Sequence, residues 1–326
     1  MTTHREPLDS VLETVGETPL VRVQDSPDEA PVYAKLESFN PGASIKDRIG
    51  KYMLERMLER GDLDPGGTVI EPTAGNTGIG LAVAAGQLGL DAVFVVPERF
   101  SVEKQQLMRA LGAEVINTPT EDGMKRAIDR ADELADELDG AAVPQQFSNP
   151  LNAEAHYEQT APEIYEALGG DVGAVVAGCG TAGTLMGMAE YALEHDPDTH
   201  VAAVEPTGSL YASFFGDDVE EGEYKTEGIG THDPATNELF DPEKVDEMVR
   251  VPDERTHAEM QRLAAEEGQL VASSAAANAV AAKRVARDIR DGEVDAPGDA
   301  VVTVFADSSE RYLSKGVYGS YEEWEG

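Results

Sequence analysis

Three short segments of this chain combine reactive or ligand-binding side chains with glycine-rich backbone. The first is Ser-Ile-Lys-Asp-Arg at residues 44–48, with Lys46 where a helix is predicted to begin. The second is Thr-Ala-Gly-Asn-Thr-Gly at residues 73–78, which follows a predicted strand. The third, Gly-Cys-Gly-Thr-Ala-Gly-Thr at residues 178–184, again joins a strand to a helix. Together they supply an amine able to form an imine and two loops able to bind anions.

The loop at residues 178–184 is suited to a phosphate group. Successive backbone N–H groups at a helix N-terminus bind anions, and glycines let the backbone approach a ligand closely. Thr181 and Thr184 add hydroxyl donors. The Gly-x-Gly-x-x-Gly spacing also matches the dinucleotide-binding fingerprint, and Glu205 follows the next predicted strand, where that fingerprint places an acid. This loop alone therefore fits either a phosphate-bearing cofactor or a nicotinamide dinucleotide.

Lys46 and the second loop favour pyridoxal phosphate. A pyridoxal enzyme needs a lysine that bonds the cofactor aldehyde and then moves a proton at the substrate Cα, whereas a dehydrogenase needs neither that lysine nor a second loop. Most lysines are simply solvated, so the interpretation depends on the setting of Lys46. The loop at residues 73–78 offers donors for a substrate carboxylate and Asn76 for a cofactor oxygen. A helix cap at Thr77 is the structural alternative.

Composition narrows the class of protein. The chain has 326 residues, 41% of them hydrophobic, enough for two domains with buried cores. Its net charge is −38, from 63 acidic and 25 basic residues, and acidic pairs such as Asp217-Asp218 are spread along it. Such a surface repels nucleic acid and anionic membranes. Dispersed carboxylates suit a protein kept soluble in concentrated salt, so we predict a halophilic protein.

The sequence argues against a signal peptide, a membrane span, a disulfide and a metal site. Residues 1–15 lack the apolar segment of a signal peptide, and the apolar stretches are interrupted, so a cytoplasmic protein without a membrane span is predicted. The single cysteine, Cys179, excludes a disulfide within the chain and is interpreted as a small buried residue rather than a reactive thiol. The six histidines show no metal-ligand spacing, so no metal site is predicted, and His232 is interpreted as a surface residue.

Strand and helix signals alternate from Val32 onward, which predicts an α/β fold with mostly parallel sheets. Predicted strands lie at residues 68–70, 92–96, 114–117, 174–177, 201–204 and 300–305, and predicted helices at 77–88, 102–111, 124–138, 182–194 and 274–290. The two loops follow strands of similar design, which implies two lobes, each an open, mostly parallel sheet flanked by helices, with the cofactor in the cleft between them. A long aperiodic loop at residues 206–237 is predicted to be functional.

Over nearly its whole length the chain resembles the cysteine synthase and cystathionine β-synthase family of pyridoxal-phosphate β-replacement enzymes, which have the tryptophan synthase β-like fold. The matching motifs occur in order at residues 16–21, 35–37, 40–48, 71–78, 145–150, 177–185, 204–206, 228–230, 267–277 and 307–314. The resemblance implies a homodimer. It also implies a smaller mobile lobe at residues 40–148, a larger lobe from residues 1–39 and 149–318, and an acidic tail at 319–326.

The resemblance implies a role for each candidate site residue. Lys46 is the catalytic residue that bonds the cofactor, Asn76 bonds the cofactor 3′-oxygen, and Ser274, or Ser273 one residue earlier, bonds the pyridine nitrogen. The cofactor phosphate is held by Gly180, Thr181, Ala182, Gly183 and Thr184, and the substrate by Thr73, Ala74, Gly75, Thr77, Gln146 and Gly228. Alanines stand at 74, 182 and 276, where the family usually has serine, glycine and glycine, which puts substrate scope in question.

The implied reaction is synthesis of L-cysteine from O-acetyl-L-serine, or O-phospho-L-serine, and sulfide. A serine beside the pyridine nitrogen makes the ring a weak electron sink, which suits elimination of a β leaving group. Lys225, on the long loop, either meets a phosphate leaving group or is a solvated loop residue. Cystathionine β-synthase and serine/threonine dehydratase are the alternative activities. An NAD-dependent dehydrogenase and a non-catalytic binding protein are more distant ones.

Overall fold

The computed structural model describes residues 7–24, 26–28, 30–138, 140–216 and 219–325. Parts of three sequence predictions lie outside the described residues: residues 1–6 of the segment without a signal peptide, the acidic pair Asp217-Asp218, and Gly326 of the acidic tail. The chain divides into two compact units. Unit 1 consists of Met1–Glu17 and Phe39–Ala155, and unit 2 of Thr18–Ser38 and His156–Gly326.

Strands and helices alternate along most of the chain. The strands are β1 (Leu20–Arg22), β2 (Val32–Leu36), β3 (Thr68–Pro72), β4 (Asp91–Pro97), β5 (Glu114–Thr118), β6 (Ala141–Ala142), β7 (Ala174–Gly178), β8 (His200–Pro206), β9 (Glu247–Val251) and β10 (Val301–Phe305). The helices are α1 (Lys46–Arg60), α2 (Asn76–Leu88), α3 (Val102–Ala110), α4 (Gly123–Glu137), α5 (Leu151–Ala155), α6 (Ala161–Leu168), α7 (Gly183–His195), α8 (Asp253–Glu267) and α9 (Ser273–Arg290). Of the helices in the described ranges, none has the length and apolar composition needed to cross a bilayer.

The predicted elements are confirmed, with ends that differ by two residues at most. The sequence pattern missed β1, β6, α5, α6, α8 and β9, of which α8 is the longest helix and β9 the longest strand. The buried positions of α8 include Thr256, His257 and Glu259, so polar side chains obscure its apolar face. In β9 a glutamate comes first and an arginine interrupts the apolar residues. Apolar periodicity is the main signal of secondary structure, and both segments lack it.

Unit 1 is a parallel four-stranded sheet in the order β5-β4-β3-β6. Because alternate residues of a strand point to opposite faces, Val69 and Phe94 pack in one core with α1 and α2, whereas Ile70 and Val95 pack in another with α4. The sheet is therefore covered on both faces. The carboxyl end of β3 leads directly into the loop at residues 73–78.

Unit 2 is a six-stranded sheet in the order β1-β2-β10-β7-β8-β9. Only β1 runs antiparallel to its neighbour; the other pairs are parallel. Alanines of α9 are buried in the core of this sheet, and their small side chains allow the helix to approach β10 and β7 closely. The α/β fold with mostly parallel sheets is thus confirmed.

Candidate active site

Lys46 is the first residue of α1, and the residues before it fix its backbone. The Ser44 hydroxyl accepts a hydrogen bond from the Lys46 N–H at 3.2 Å, and Asp47 Oδ2 accepts one from the Ser44 N–H at 3.2 Å. Asn40 Nδ2 donates to the Ser44 carbonyl at 3.1 Å. The first bond satisfies an N–H group that the helix N-terminus leaves open, and the other two hold the Ser44 backbone just before the helix. The serine and aspartate of the motif thus hold the lysine at a defined start of the helix.

Two glycines bring the start of α1 against α2. A Cβ atom on Gly80 would lie 2.3 Å from the Lys46 carbonyl oxygen, and one on Gly50 would lie 2.5 Å from the Gly80 carbonyl carbon. The two backbones are therefore in direct contact, which no other residue type would allow. Asn76 is the first residue of α2. The crossing holds the helix start that carries Lys46 against the helix whose first residue is Asn76.

The predicted carboxylate loop connects β3 to α2. Thr73 Oγ1 accepts a hydrogen bond from the Gly75 N–H at 3.3 Å, and Ala74 is partly exposed between them. Thr77 Oγ1 donates to Gln146 Oε1 at 2.6 Å. Unit 1 thus brings together the predicted substrate-binding residues of its loop with Gln146, which is 69 residues away from Thr77 in sequence.

Glu71, to which the sequence assigned no role, positions Gln146. Its carboxylate accepts hydrogen bonds from the backbone N–H groups of Gln145 at 3.1 Å and Gln146 at 3.3 Å. Burial raises the pKa of the Glu71 carboxyl to about 7, although the hydrogen bonds from Gln146 and Gln145 lower it. Gln145 has a φ of +57°, in the left-handed region that favours glycine. Asn152 Nδ2 also donates to the Gln146 carbonyl at 2.7 Å.

The predicted phosphate loop in unit 2 precedes α7. A Cβ atom on Gly180 would lie 2.2 Å from the Gly228 carbonyl oxygen, so only glycine at position 180 lets the two backbones meet. Gly228 has a φ of +83°, a conformation that favours glycine. Ala182, at φ +61°, turns the chain into α7, which begins at Gly183. An alanine in this conformation costs about 1 kcal/mol more than glycine. The first N–H groups of α7 and the glycines beside them suit a phosphate group.

Thr184, in the first turn of α7, is engaged by a buried histidine. Thr184 Oγ1 lies 3.2 Å from His156 Nε2, and His156 Nδ1 lies 2.9 Å from Thr160 Oγ1. His156 is fully buried and begins a π-helical turn, His156–Thr160. Such turns are frequent at functional sites. His156 therefore orients a hydroxyl of the predicted phosphate loop.

The long loop at residues 206–237 forms hydrogen bonds to the predicted phosphate loop. Tyr211 Oη donates to the Gly180 carbonyl at 2.8 Å, and Asn237 Nδ2 donates to the same oxygen at 3.1 Å. Glu205 accepts hydrogen bonds from the N–H groups of Tyr211 at 2.8 Å and Ala212 at 3.2 Å. Glu205 is fully buried and committed to these bonds, so it is not available to a nucleotide ribose. The alternative of a nicotinamide dinucleotide therefore lacks the acidic residue that would bind its ribose.

Ser273 and Ser274 open α9 and differ in their surroundings. The Ser273 hydroxyl accepts a hydrogen bond from the Glu227 N–H at 2.9 Å. Ser274 Oγ lies 3.7 Å from the position that a Gly228 Cβ would take, and Ser274 is 5% exposed. Unit 2 thus brings Ser274, Gly228 and the phosphate loop together.

Lys225 does not fit either of its two predicted roles. Its Nζ donates to the Tyr321 carbonyl at 2.9 Å and lies 4.3 Å from the centre of the Tyr321 ring. The single tryptophan, Trp324, is 2% exposed and packs in the same group. The ammonium is therefore held by the C-terminal segment, where cation–π contact and a hydrogen bond stabilise it, rather than solvated or aimed at a leaving group.

Two single-residue predictions are confirmed. Cys179 is fully buried, and burial raises the pKa of its thiol well above the usual range, which disfavours a reactive thiolate. His232 is exposed, with Nδ1 at 3.1 Å from a carboxylate oxygen of Glu221. Neither residue adds chemistry to the site.

Known proteins of one family are similar to this chain over most of its length. Residues 11–307 match the family of pyridoxal-phosphate dependent enzymes. The O-acetylserine dependent cystathionine beta-synthase of Bacillus subtilis is 42% identical over 310 residues, which cover 94% of this chain and 97% of that protein. A cysteine synthase of Helicobacter pylori is 41% identical over 310 residues, with 94% and 97% covered. The crystal structure of O-acetylserine dependent cystathionine beta-synthase from Helicobacter pylori has a TM-score of 0.84 at 40% identity and covers 96% of this chain and 99% of its own.

The chain belongs to the pyridoxal-phosphate dependent enzymes, as its motifs predicted. Its cofactor is pyridoxal 5′-phosphate. Each unit taken by itself has residues that suit part of that group. Unit 1 has a lysine at a helix start, and unit 2 has a glycine-rich helix N-terminus where a Cβ atom on Gly180 would collide with backbone.

Proposed function

We propose that this protein is a cysteine synthase that converts O-acetyl-L-serine and sulfide to L-cysteine and acetate. The observation that carries the proposal is the fixed position of Lys46 against α2 in the unit that also holds the Thr77–Gln146 pair. A chain 41% identical to a cysteine synthase supports it. Bound pyridoxal phosphate supplies an aldehyde for the Lys46 amine and a ring that accepts electrons from the substrate Cα.

Each unit carries part of the proposed machinery. In unit 1, the Lys46 amine moves a proton at the substrate Cα, Asn76 bonds the cofactor 3′-oxygen, and Thr73, Ala74, Gly75, Thr77 and Gln146 bind the substrate carboxylate. In unit 2, residues 180–184 hold the phosphate, Ser274 bonds the pyridine nitrogen and Gly228 contacts substrate. The separate hydrogen bond of Ser273 supports Ser274 for the pyridine nitrogen.

Two observations favour O-acetylserine over O-phosphoserine as the donor. Lys225, the cation suggested for a phosphate leaving group, is held by Tyr321. The net charge of −38 repels a phosphorylated amino acid more strongly than an acetylated one. Relatives described as O-acetylserine dependent point the same way.

A second activity has specific support, because the Bacillus subtilis relative is a cystathionine beta-synthase that depends on O-acetylserine. Purified holoenzyme should be supplied with O-acetylserine or O-phosphoserine, each with sulfide or homocysteine. The products should be quantified by mass spectrometry. We expect the highest kcat/KM for O-acetylserine with sulfide. Preference for homocysteine would establish the second activity, and no β-replacement with any pair would reject both.

We further propose a cytoplasmic homodimer in which residues 40–148 form the mobile lobe, residues 1–39 and 149–318 the larger lobe and residues 319–326 an acidic tail. The resemblance to the family supports these assignments. Closure of the mobile lobe would keep water from the reacting substrate. The sedimentation coefficient of the purified protein tests the dimer.

The excess of 38 negative charges predicts that salt stabilises the folded protein. The screening length falls from about 10 Å at 0.1 M salt to about 3 Å at 1 M, which weakens repulsion between neighbouring carboxylates. We expect the melting temperature to rise by about 5 °C or more between 0.1 and 3 M KCl. Circular dichroism measures it, with equal osmolarity of sucrose as the control. A melting temperature that falls steadily with KCl would contradict a halophilic protein.

A further inference from the structure

The tripeptide Glu-Pro-Thr occurs twice, at residues 71–73 and 205–207, each time at the carboxyl end of an interior parallel strand. The first ends β3 in unit 1, and the second ends β8 in unit 2. Both glutamates are buried, Glu71 with 2% and Glu205 with 0% of its surface exposed. A buried carboxylate is costly unless hydrogen bonds compensate it, so two such groups at equivalent places call for a common explanation.

Both carboxylates hold the same kind of partner. Glu71 binds two consecutive backbone N–H groups, of Gln145 and Gln146. Glu205 binds two consecutive backbone N–H groups, of Tyr211 and Ala212, and its Oε1 lies 3.4 Å from Arg250 Nε. In each case the bound segment is not part of the adjacent ligand loop but contacts it. Two hydrogen bonds from adjacent N–H groups to one carboxyl group hold the segment at both positions.

The two bound segments reach different loops. The segment held by Glu71 presents Gln146 Oε1 to Thr77 in the loop at residues 73–78. The segment held by Glu205 presents Tyr211 Oη to the Gly180 carbonyl in the loop at residues 180–184. Each glutamate is therefore connected to one loop through one intermediate side chain.

We propose that Glu71 and Glu205 are positioning residues with separate effects: Glu71 sets Gln146 for the substrate carboxylate, and Glu205 sets Tyr211 for the loop that holds the cofactor phosphate. The inference rests on the proposed function for its assignment of the two loops. Neither glutamate touches the reacting atoms. Replacing either by glutamine keeps the size of the side chain but leaves an NH2 group facing a backbone N–H, so one of the two hydrogen bonds is lost.

The test compares Glu71→Gln with Glu205→Gln, so each variant is the matched control for the other. For Glu71→Gln we expect the KM for O-acetylserine to rise about ten-fold or more, with kcat and cofactor affinity little changed. For Glu205→Gln we expect the dissociation constant of pyridoxal phosphate to rise about ten-fold or more, with KM unchanged at saturating cofactor. Cofactor binding is measured by adding pyridoxal phosphate to apoprotein and following absorbance and the fluorescence of Trp324.

Two further variants keep the test decisive if a glutamine variant does not fold. Gln146→Ala and Tyr211→Phe remove the intermediate side-chain groups and should show the same split between KM and cofactor affinity. In the double variants, Glu71→Gln should add nothing to the KM of Gln146→Ala, and Glu205→Gln should add nothing to the cofactor dissociation constant of Tyr211→Phe. Equal changes in both quantities for both glutamates, or additive double variants, would overturn the proposal.

Failure of the proposed function is separable from failure of this inference. Binding of O-acetylserine is also followed by the absorbance change of the bound cofactor, which needs no sulfur nucleophile and no product. If the wild-type protein makes no cysteine but the variants show the expected split in binding, the proposed activity is rejected and the positioning roles stand. If the wild-type protein makes cysteine but the variants show no split, the proposed activity stands and the positioning roles are rejected.

Discussion

Replacing Lys46 with alanine is expected to lower kcat/KM at least about a thousand-fold and to weaken retention of pyridoxal phosphate. The variant loses the amine that bonds the cofactor and, in the same group, the base that moves the Cα proton. The backbone of residue 46 should stay in place, because its hydrogen bond is made by the N–H and not by the side chain. Turnover with O-acetylserine and sulfide is measured together with absorbance after dialysis.

Lys51→Ala is the matched control for this loss. Lys51 lies further along α1, and its Nζ donates to the Leu12 carbonyl at 3.1 Å. We expect this variant to keep its cofactor and its activity within about two-fold, because the removed hydrogen bond contributes about 1 kcal/mol to stability and lies outside the proposed machinery. If the Lys46→Ala enzyme kept more than a tenth of wild-type activity, Lys46 would not be the catalytic residue.

Replacing Gly80 with alanine is expected to lower kcat about a hundred-fold, although Gly80 carries no side chain and touches no ligand. The new Cβ atom would lie 2.3 Å from the Lys46 carbonyl oxygen and 2.9 Å from the Asp47 nitrogen. These are backbone atoms, so a rotamer change cannot relieve the contact, and the start of α1 must move. The overpacking should also reduce the free energy of unfolding by about 1–3 kcal/mol.

Gly86→Ala, in the same helix, separates this steric effect from helix propensity. A Cβ atom there would lie 3.8 Å from the Leu111 carbonyl, an ordinary contact. Because alanine favours a helix over glycine by about 1 kcal/mol, this variant should be as stable as wild type or more so, with unchanged kcat. Thermal unfolding and steady-state kinetics of the pair provide the comparison. Similar behaviour of the two variants would show that the α1–α2 contact does not position Lys46.

The sequence predicted the elements whose signals are local. The buried strand predicted at residues 68–70 and the helix predicted after Asn76 appear where the pattern placed them, because strand and helix periods are properties of neighbouring residues. The Ser-Ile-Lys-Asp-Arg segment predicted the helix start at Lys46 for the same reason, since its serine and aspartate bind backbone within three residues.

Contacts between distant residues were not predicted. Glu71 binds Gln145 across 74 residues, and Tyr211 binds Gly180 across 31 residues. Neither partner has an unusual local sequence, so periodicity and capping signals contain no information about the pairing. The repeated Glu-Pro-Thr would have linked the two glutamates, but its meaning depends on which N–H groups they bind, and only the folded chain shows those.

The order of residue types alone favoured pyridoxal phosphate and predicted the alternating fold, because a lysine at a helix start, two glycine-rich strand ends and the strand and helix periods are all local features. Tertiary structure decided which side chains support those features. It placed Lys225 under Tyr321 instead of beside a leaving group, across 96 residues of chain. It also committed Glu205 to backbone N–H groups. A buried carboxyl group accepts hydrogen bonds from the donors that the folded chain brings within reach, and only folding determines which donors those are.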